Sequence, residues 1–386
     1  MRIHITSYSP KLTFLLPAVL AVAFSLCSAQ EDPPPPPPTF TFSGATGNWD
    51  QTARWSGGVL PTAGSNLVFS NRNSDRVARY RNVSAINGLG GQINSLTINQ
   101  TMAFSNVVEL WRSLTVAEAI TLEASGGGSS VIRLLTSTQG SAPETGHVNT
   151  TGPVLIAPSV TLNGGGRLEL GKIRTVSGGS TTQVNGDVNV SGGTLSVQRA
   201  ARVTTSVTTA GLAYTIDGNV SMTSGLIEMG VATSWTADGS GDITNTALKI
   251  TGDLTLTGGR TQVRTSLDTH AAKIQVDGAL TYGGELEIYI SPTSTTLEEG
   301  ATYALFTSGS RSGTFSSVAL SGFYDLTLTG ADGVWTGSNS DFSFTFSETT
   351  GSLVVGAVAV PEPATVALLG GLGCLLSAVF IRRSNR

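Results

Sequence analysis

The chain has 386 residues, 12% of them charged, 47 glycines and a formal net charge of −4 at pH 7. That is too little charge for a disordered polyelectrolyte, and so much Gly, Thr and Ser argues against a helical globule and for an all-β body. Only four lysines occur (Lys11, Lys172, Lys249 and Lys273), so no basic stripe exists to neutralise a phosphate backbone, and nucleic acid is not an expected partner. Both cysteines, Cys27 and Cys374, sit in apolar end segments, which leaves the body without a disulfide or thiolate metal site.

In chain order, Arg2 and Lys11 precede an apolar run from Leu12 to Leu26 that breaks into Cys27-Ser28-Ala29-Gln30. This is the layout of a secretory signal peptide over residues 1–29. The run is short for a membrane span, and Cys27 and Ala29 are small where a signal peptidase reads, which places cleavage between Ala29 and Gln30. Lipidation of Cys27 is the competing reading, weakened by the bulk of Leu26 just before it. A linker over 30–38 carries six consecutive prolines, Pro33 to Pro38, a polyproline II spacer rising about 3.1 Å per residue.

Residues 39–110 read as an N-terminal β cap region. Thr39-Phe40-Thr41-Phe42 and Asn66-Leu67-Val68-Phe69 alternate between Gly-rich turns, the pattern of strands and hairpins. Trp49 and Trp55 could stack on sugars, but capping the first apolar layer is the simpler use of two such large side chains.

Residues 111–300 carry an internal repeat. Val184-Asn185-Gly186-Asp187-Val188-Asn189-Val190 aligns with segments beginning at Ile216, Ile250 and Val276, all sharing β-branched, any, Gly, any, apolar, any, apolar. Val160 to Leu170 is an upstream copy with a longer turn. Apolar residues at period two on each side of a Gly turn give two short strands meeting at a bend, each with one face inward. Gly186, Gly218, Gly252 and Gly278 are spaced by 32, 34 and 26 residues, a solenoid period in which stacked coils bury what no single coil could. The expected fold is therefore a parallel β-solenoid, or β-helix, with a stack of β-sandwiches as the alternative. Residues 301–358 are more aromatic and less repetitive, and are expected to form an antiparallel β cap over the open edge of the last coil.

Residues 360–386 begin Val360-Pro361-Glu362-Pro363, continue as an apolar run from Ala364 to Ile381 and end in Arg382-Arg383-Ser384-Asn385-Arg386. As a helix, 18 residues reach roughly 27 Å, a single transmembrane span with its arginines as a cytoplasmic stop. The expected whole is an all-β body with a signal helix at one end and a transmembrane helix at the other, held at the inner membrane before processing. A plain membrane anchor explains the same segment. The order Pro-Glu-Pro, apolar helix, arginine cluster resembles the PEP-CTERM sorting signal of Gram-negative bacteria that make extracellular polysaccharide. The resemblance implies that an exosortase, a membrane transpeptidase, recognises Pro361, Glu362 and Pro363 and passes the protein to the cell surface or matrix. The run Trp55-Ser56-Gly57-Gly58-Val59-Leu60-Pro61 is similar to the start of autotransporter-like β-repeat proteins that accompany such tails.

No motif assigns a catalytic residue, a cofactor or a metal. His147 and His270 stand far apart, and Ser266, Asp268 and His270 form a triad only by composition. Asp238-Gly239-Ser240-Gly241-Asp242 lacks the ligand order of a calcium loop. The five N-x-S/T glycosylation-type sites, at Asn82, Asn99, Asn149, Asn189 and Asn219, are what chance yields in a Thr/Ser/Asn-rich chain. A polysaccharide lyase or glycosidase would draw on Glu285 with Glu287, or on Glu169 with Arg167 and Lys172; alternation of charge on an exposed strand face explains the same residues. The leading expectation is a structural or adhesive surface protein associated with exopolysaccharide, with that enzyme and an adhesin for protein receptors as alternatives.

Overall fold

The computed structural model describes residues 34–80, 91–135, 152–171, 182–198, 212–231, 246–265, 272–290 and 297–358. Of these, 63% are strand and 2% helix. The period-two segments stack as three parallel ladders, because each segment buries one face only when another lies above or below it.

The first ladder runs from Thr39–Phe42 through Asn66–Phe69, Ser95–Ile98 and Ile120–Leu122 and on to Phe306–Gly313. Its inward column reads Phe42, Phe69, Ile98, Leu122, Leu162, Val190, Met222 and Leu256, all buried. The second ladder runs from Gly47–Asn48 through Arg76–Tyr80 to Ser317–Gly322, and the third from Gln92–Ile93 to the start of Phe306–Gly313. The region read as an N-terminal β cap is itself coiled, since Thr39–Phe42 pairs in parallel with Asn66–Phe69.

The repeat alignment coincides with the pairing register: Val184, Ile216, Ile250 and Val276 stack in the third ladder, and Val188, Val220, Leu254 and Leu280 in the first. Gly218, Gly252 and Gly278 sit at the bend between them. A Cβ at each would lie 2.5 to 2.7 Å from the carbonyl oxygen of the glycine one coil earlier, so only glycine allows the coils to close to sheet spacing there. The unequal repeat lengths come from one corner. Removing the 13, 14 and 6 residues that connect the second ladder to the next third-ladder strand, all outside the described residues, leaves 19, 20 and 20 residues per coil.

The expected fold is corrected in two respects. Among the described residues the only helices are two 3-10 turns of three residues, Thr52–Arg54 and Ser56–Gly58, and none is long and apolar enough to cross a membrane. A span requires about 20 apolar residues. The segments on which the signal helix and the transmembrane helix were placed, with Ala29, Gln30, Pro361, Glu362, Pro363, Arg382, Arg383 and Arg386, lie outside the described residues. The fold with a helix at each end, and the inner-membrane anchoring built on it, are therefore unsupported. Nor are the ladders separate sheets. The long strands Gln183–Gln198, Val220–Val231 and Lys273–Tyr282 turn the corner between ladders, so that with Leu212–Asp217, Thr246–Ile250 and Leu254–Leu256 their pairings close a ring of six parallel strands.

Both ends of the stack are plugged. At the first coil Trp49 (0% exposed) and Trp55 (3%) pack edge to face at 6.0 Å, and Trp55 Nε1 donates to the Trp49 carbonyl at 2.7 Å. They fill the core, as the capping alternative requires. Arg76 is buried against the rings of Phe42 and Phe69, donating to the carbonyls of Phe42 (2.7 Å) and Ser70 (2.8 Å) and to Asn106 Oδ1 (3.0 and 2.8 Å). Burial, with Arg72 nearby, lowers its pKa to about 10. At the far end Ser317–Gly322 pairs antiparallel with Leu326–Ala331, and an antiparallel sheet continues through Val334–Ser338, Phe342–Ser347 and Ser352–Ala357 to Thr302–Ala304. Its Phe346 meets Phe306 and Phe315 of the last coil at 6.4 and 6.2 Å.

Candidate functional site

The outward positions of the first two ladders are two strips of different chemistry. On the first ladder one row reads Thr97, Thr121, Thr161, Asn189, Ser221, Thr255, Thr281 and Ser312, one residue per coil. All eight are half-buried or exposed and none is charged. Neighbours in a sheet lie about 4.8 Å apart, so the strip is an array of hydroxyl and amide groups at that repeat. Ser221 Oγ donates to Asn189 Oδ1 at 2.7 Å, and the hydroxyls of Thr281 and Ser312 pair at 3.2 Å.

On the second ladder the outward row reads Arg79, Glu109, Arg133, Glu169, Ser196, Glu228, Gln262 and Glu287. Its charges neutralise one another from coil to coil. Glu109 takes Arg79 Nε at 3.2 Å and an Arg133 NH at 3.2 Å; Arg133 also binds Glu169; Arg167, one alternation away, binds Glu169 at 2.8 Å, Ser196 Oγ at 3.2 Å and Glu228. Burial would lower the pKa of Arg133, but its bonds to Glu169 and Glu109 outweigh that and raise it, so it stays charged. A groove of about 390 Å³ runs beside this row, floored by Val77, Val107 and Val131.

The structure brings Glu169 and Arg167 together as the sequence suggested, and adds Glu109, Arg133 and Glu228 from neighbouring coils. That ladder was missed because the coils before Val160 do not share the repeat consensus; the signal was opposite charge at matching strand positions in Arg76–Tyr80, Ser105–Leu110 and Ser129–Leu134. Glu285 and Glu287 share a strand, but Glu287 is engaged by Arg260 at 2.9 Å and Ser321 Oγ at 2.5 Å. Although burial raises its pKa, bonds from Ser321, Arg260 and Gln262 prevail and lower it, which is the wrong direction for a general acid. Lys172, the histidines His147 and His270, Ser266, Asp268, the Asp238 to Asp242 loop, Asn82 and Asn149 lie outside the described residues. Among the described residues no three His, Cys, Asp or Glu are grouped to hold a metal.

Fold and strips together define an all-β, repeat-built coil protein with polar outer faces. No family model, curated protein or solved structure matches the chain.

Proposed function

We propose that this is a non-enzymatic structural or adhesive protein of the cell exterior, associated with exopolysaccharide and sorted through Pro361-Glu362-Pro363 by an exosortase-type system. The observation that carries the glycan association is the uncharged strip from Thr97 to Ser312. Hydroxyls donate and accept, as a glycan's do, and the coil repeat is close to the length of one pyranose residue, so an extended chain lying along the stack meets an equivalent group at every coil. The second strip supports a non-enzymatic reading. Each of Glu109, Glu169 and Glu228 is held by an arginine rather than facing a second free carboxyl across a cleft, as glycoside hydrolysis requires.

The test is co-sedimentation of the full chain with exopolysaccharide from the producing strain. Wild type should pellet with the polymer, and a Thr121→Lys, Thr161→Lys, Thr255→Lys variant should remain in solution. Release of reducing ends or unsaturated products during incubation would replace this reading with the lyase or glycosidase. Mass spectrometry of the C-terminal peptide tests the sorting: a terminus between Val360 and Pro363 supports it, and an intact Arg386 overturns it.

A further inference from the structure

The three inward columns that end at Val276, Leu280 and Tyr282 are apolar or aromatic up to the last coil. There Ser308 stands where the preceding coil has Val276, Arg311 where it has Leu280, and Gly313 where it has Tyr282. These substitutions open a cleft of about 700 Å³ at the seam between the last coil and the antiparallel cap, whose far wall includes Asp332 and Glu348. That volume is in the range of small-ligand sites.

The walls are held in place. Glu348, 5% exposed, accepts at Oε1 from the backbone N–H of Phe315 (2.8 Å), Thr314 Oγ1 (2.9 Å) and Trp335 Nε1 (3.0 Å). Arg311 donates to the carbonyls of Thr349 and Phe306, the latter at 3.3 Å. Tyr282, 3% exposed, packs its ring against Phe306 and Phe315 at 5.5 and 4.9 Å. Two groups on this cleft are unpaired: the Tyr282 hydroxyl and Arg311 Nε are buried with no hydrogen-bond partner among the described residues. A buried donor left unpaired is costly, so a pair of them on one cleft marks a place where an added hydrogen-bonding group would be stabilised.

We infer that the seam cleft binds a neutral saccharide unit, with Asp332 and Glu348 accepting from its hydroxyls and Tyr282 and Arg311 donating to them. The charge pattern selects the class. An anion would face two carboxylates, a metal cation would face the guanidinium, and a neutral polyol satisfies both sets. The site is separate from the strip on the first ladder, and each can fail without the other.

The test is isothermal titration of the full chain with maltose, cellobiose, lactose and N,N′-diacetylchitobiose, with sulfate and citrate as anionic controls. At least one disaccharide should bind saturably to wild type, and Tyr282→Phe, which deletes only an unpartnered hydroxyl, should weaken it tenfold or more without lowering Tm. Asp332→Asn should weaken it likewise, and the Thr121→Lys, Thr161→Lys, Thr255→Lys variant should leave it intact. Absence of saturable binding by all four disaccharides, equal affinity in Tyr282→Phe, or binding of the anions alone overturns the inference.

Discussion

Asp187 and Asn219 occupy the same corner of successive coils, and Asp187 Oδ1 accepts both the backbone N–H of Asn219, at 2.8 Å, and its Nδ2, at 3.2 Å. The relay continues upward: Asn219 Oδ1 takes the N–H of Asp253 at 2.9 Å, and Asp253 Oδ1 the N–H of Ala279 at 2.8 Å. These residues follow the repeat glycines, so each coil's side chain satisfies a backbone amide that the bend withdraws from the ladder. Asn219→Ala keeps its own backbone bond to Asp187 but removes both side-chain bonds, to Asp187 and to the Asp253 N–H, and should lower stability by about 1–2 kcal/mol in urea unfolding. Asn219→Asp puts three carboxylates in register, and its loss should shrink at 1 M salt.

The glycine before that corner is set by space. A Cβ on Gly252 would stand 2.7 Å from the Gly218 carbonyl oxygen and 2.4 Å from Asn219 Oδ1. Gly252→Ala should therefore cost roughly 2–3 kcal/mol in the same unfolding measurement, whereas Gly164→Ala, with nothing near its Cβ, should cost less than about 1.

Arg133 lies between Glu109 and Glu169 with a side chain 16% exposed. Arg133→Met leaves both carboxylates short of a partner and should destabilise by about 3 kcal/mol, with little dependence on salt. Arg260, 53% exposed beside Glu287, provides the contrast: Arg260→Met should cost about 0.5 kcal/mol, and that cost should fade as salt rises. Melting each variant at low and high ionic strength separates the two.

Glu287 also gives a pH dependence. Its folded pKa is held below the ordinary 4.5, so its contribution to stability is present above that value and is lost as pH falls through the folded one. Thermal melts of wild type between pH 7 and pH 3 should show Tm falling below about pH 5. Glu287→Gln should have a lower Tm at neutral pH and a flatter acid limb. An unchanged slope would show that other groups carry the acid loss.

The coil register was legible in the sequence because side-chain direction in a strand has period two, and a one-residue slip would turn Val188, Val220, Leu254 and Leu280 out to water. The bend glycines were legible for the same local reason. Tertiary structure alone decided which strands pair, since alternation marks a buried face without naming the strand beside it; hence the coiling of residues 39–80, the ring closed by the corner-turning strands, and the charged row from Arg79 to Glu287. It also decided the fate of the polar residues. Arg76, Arg311 and Glu348 look like surface charges in a linear reading; Arg76 is buried against Phe42 and Phe69 of the first coils, and Arg311 and Glu348 are half-buried and buried because a cap covers the last coil. A sequence fixes which way each side chain points along its own strand; what lies opposite it is set by residues about 20 to 60 positions away.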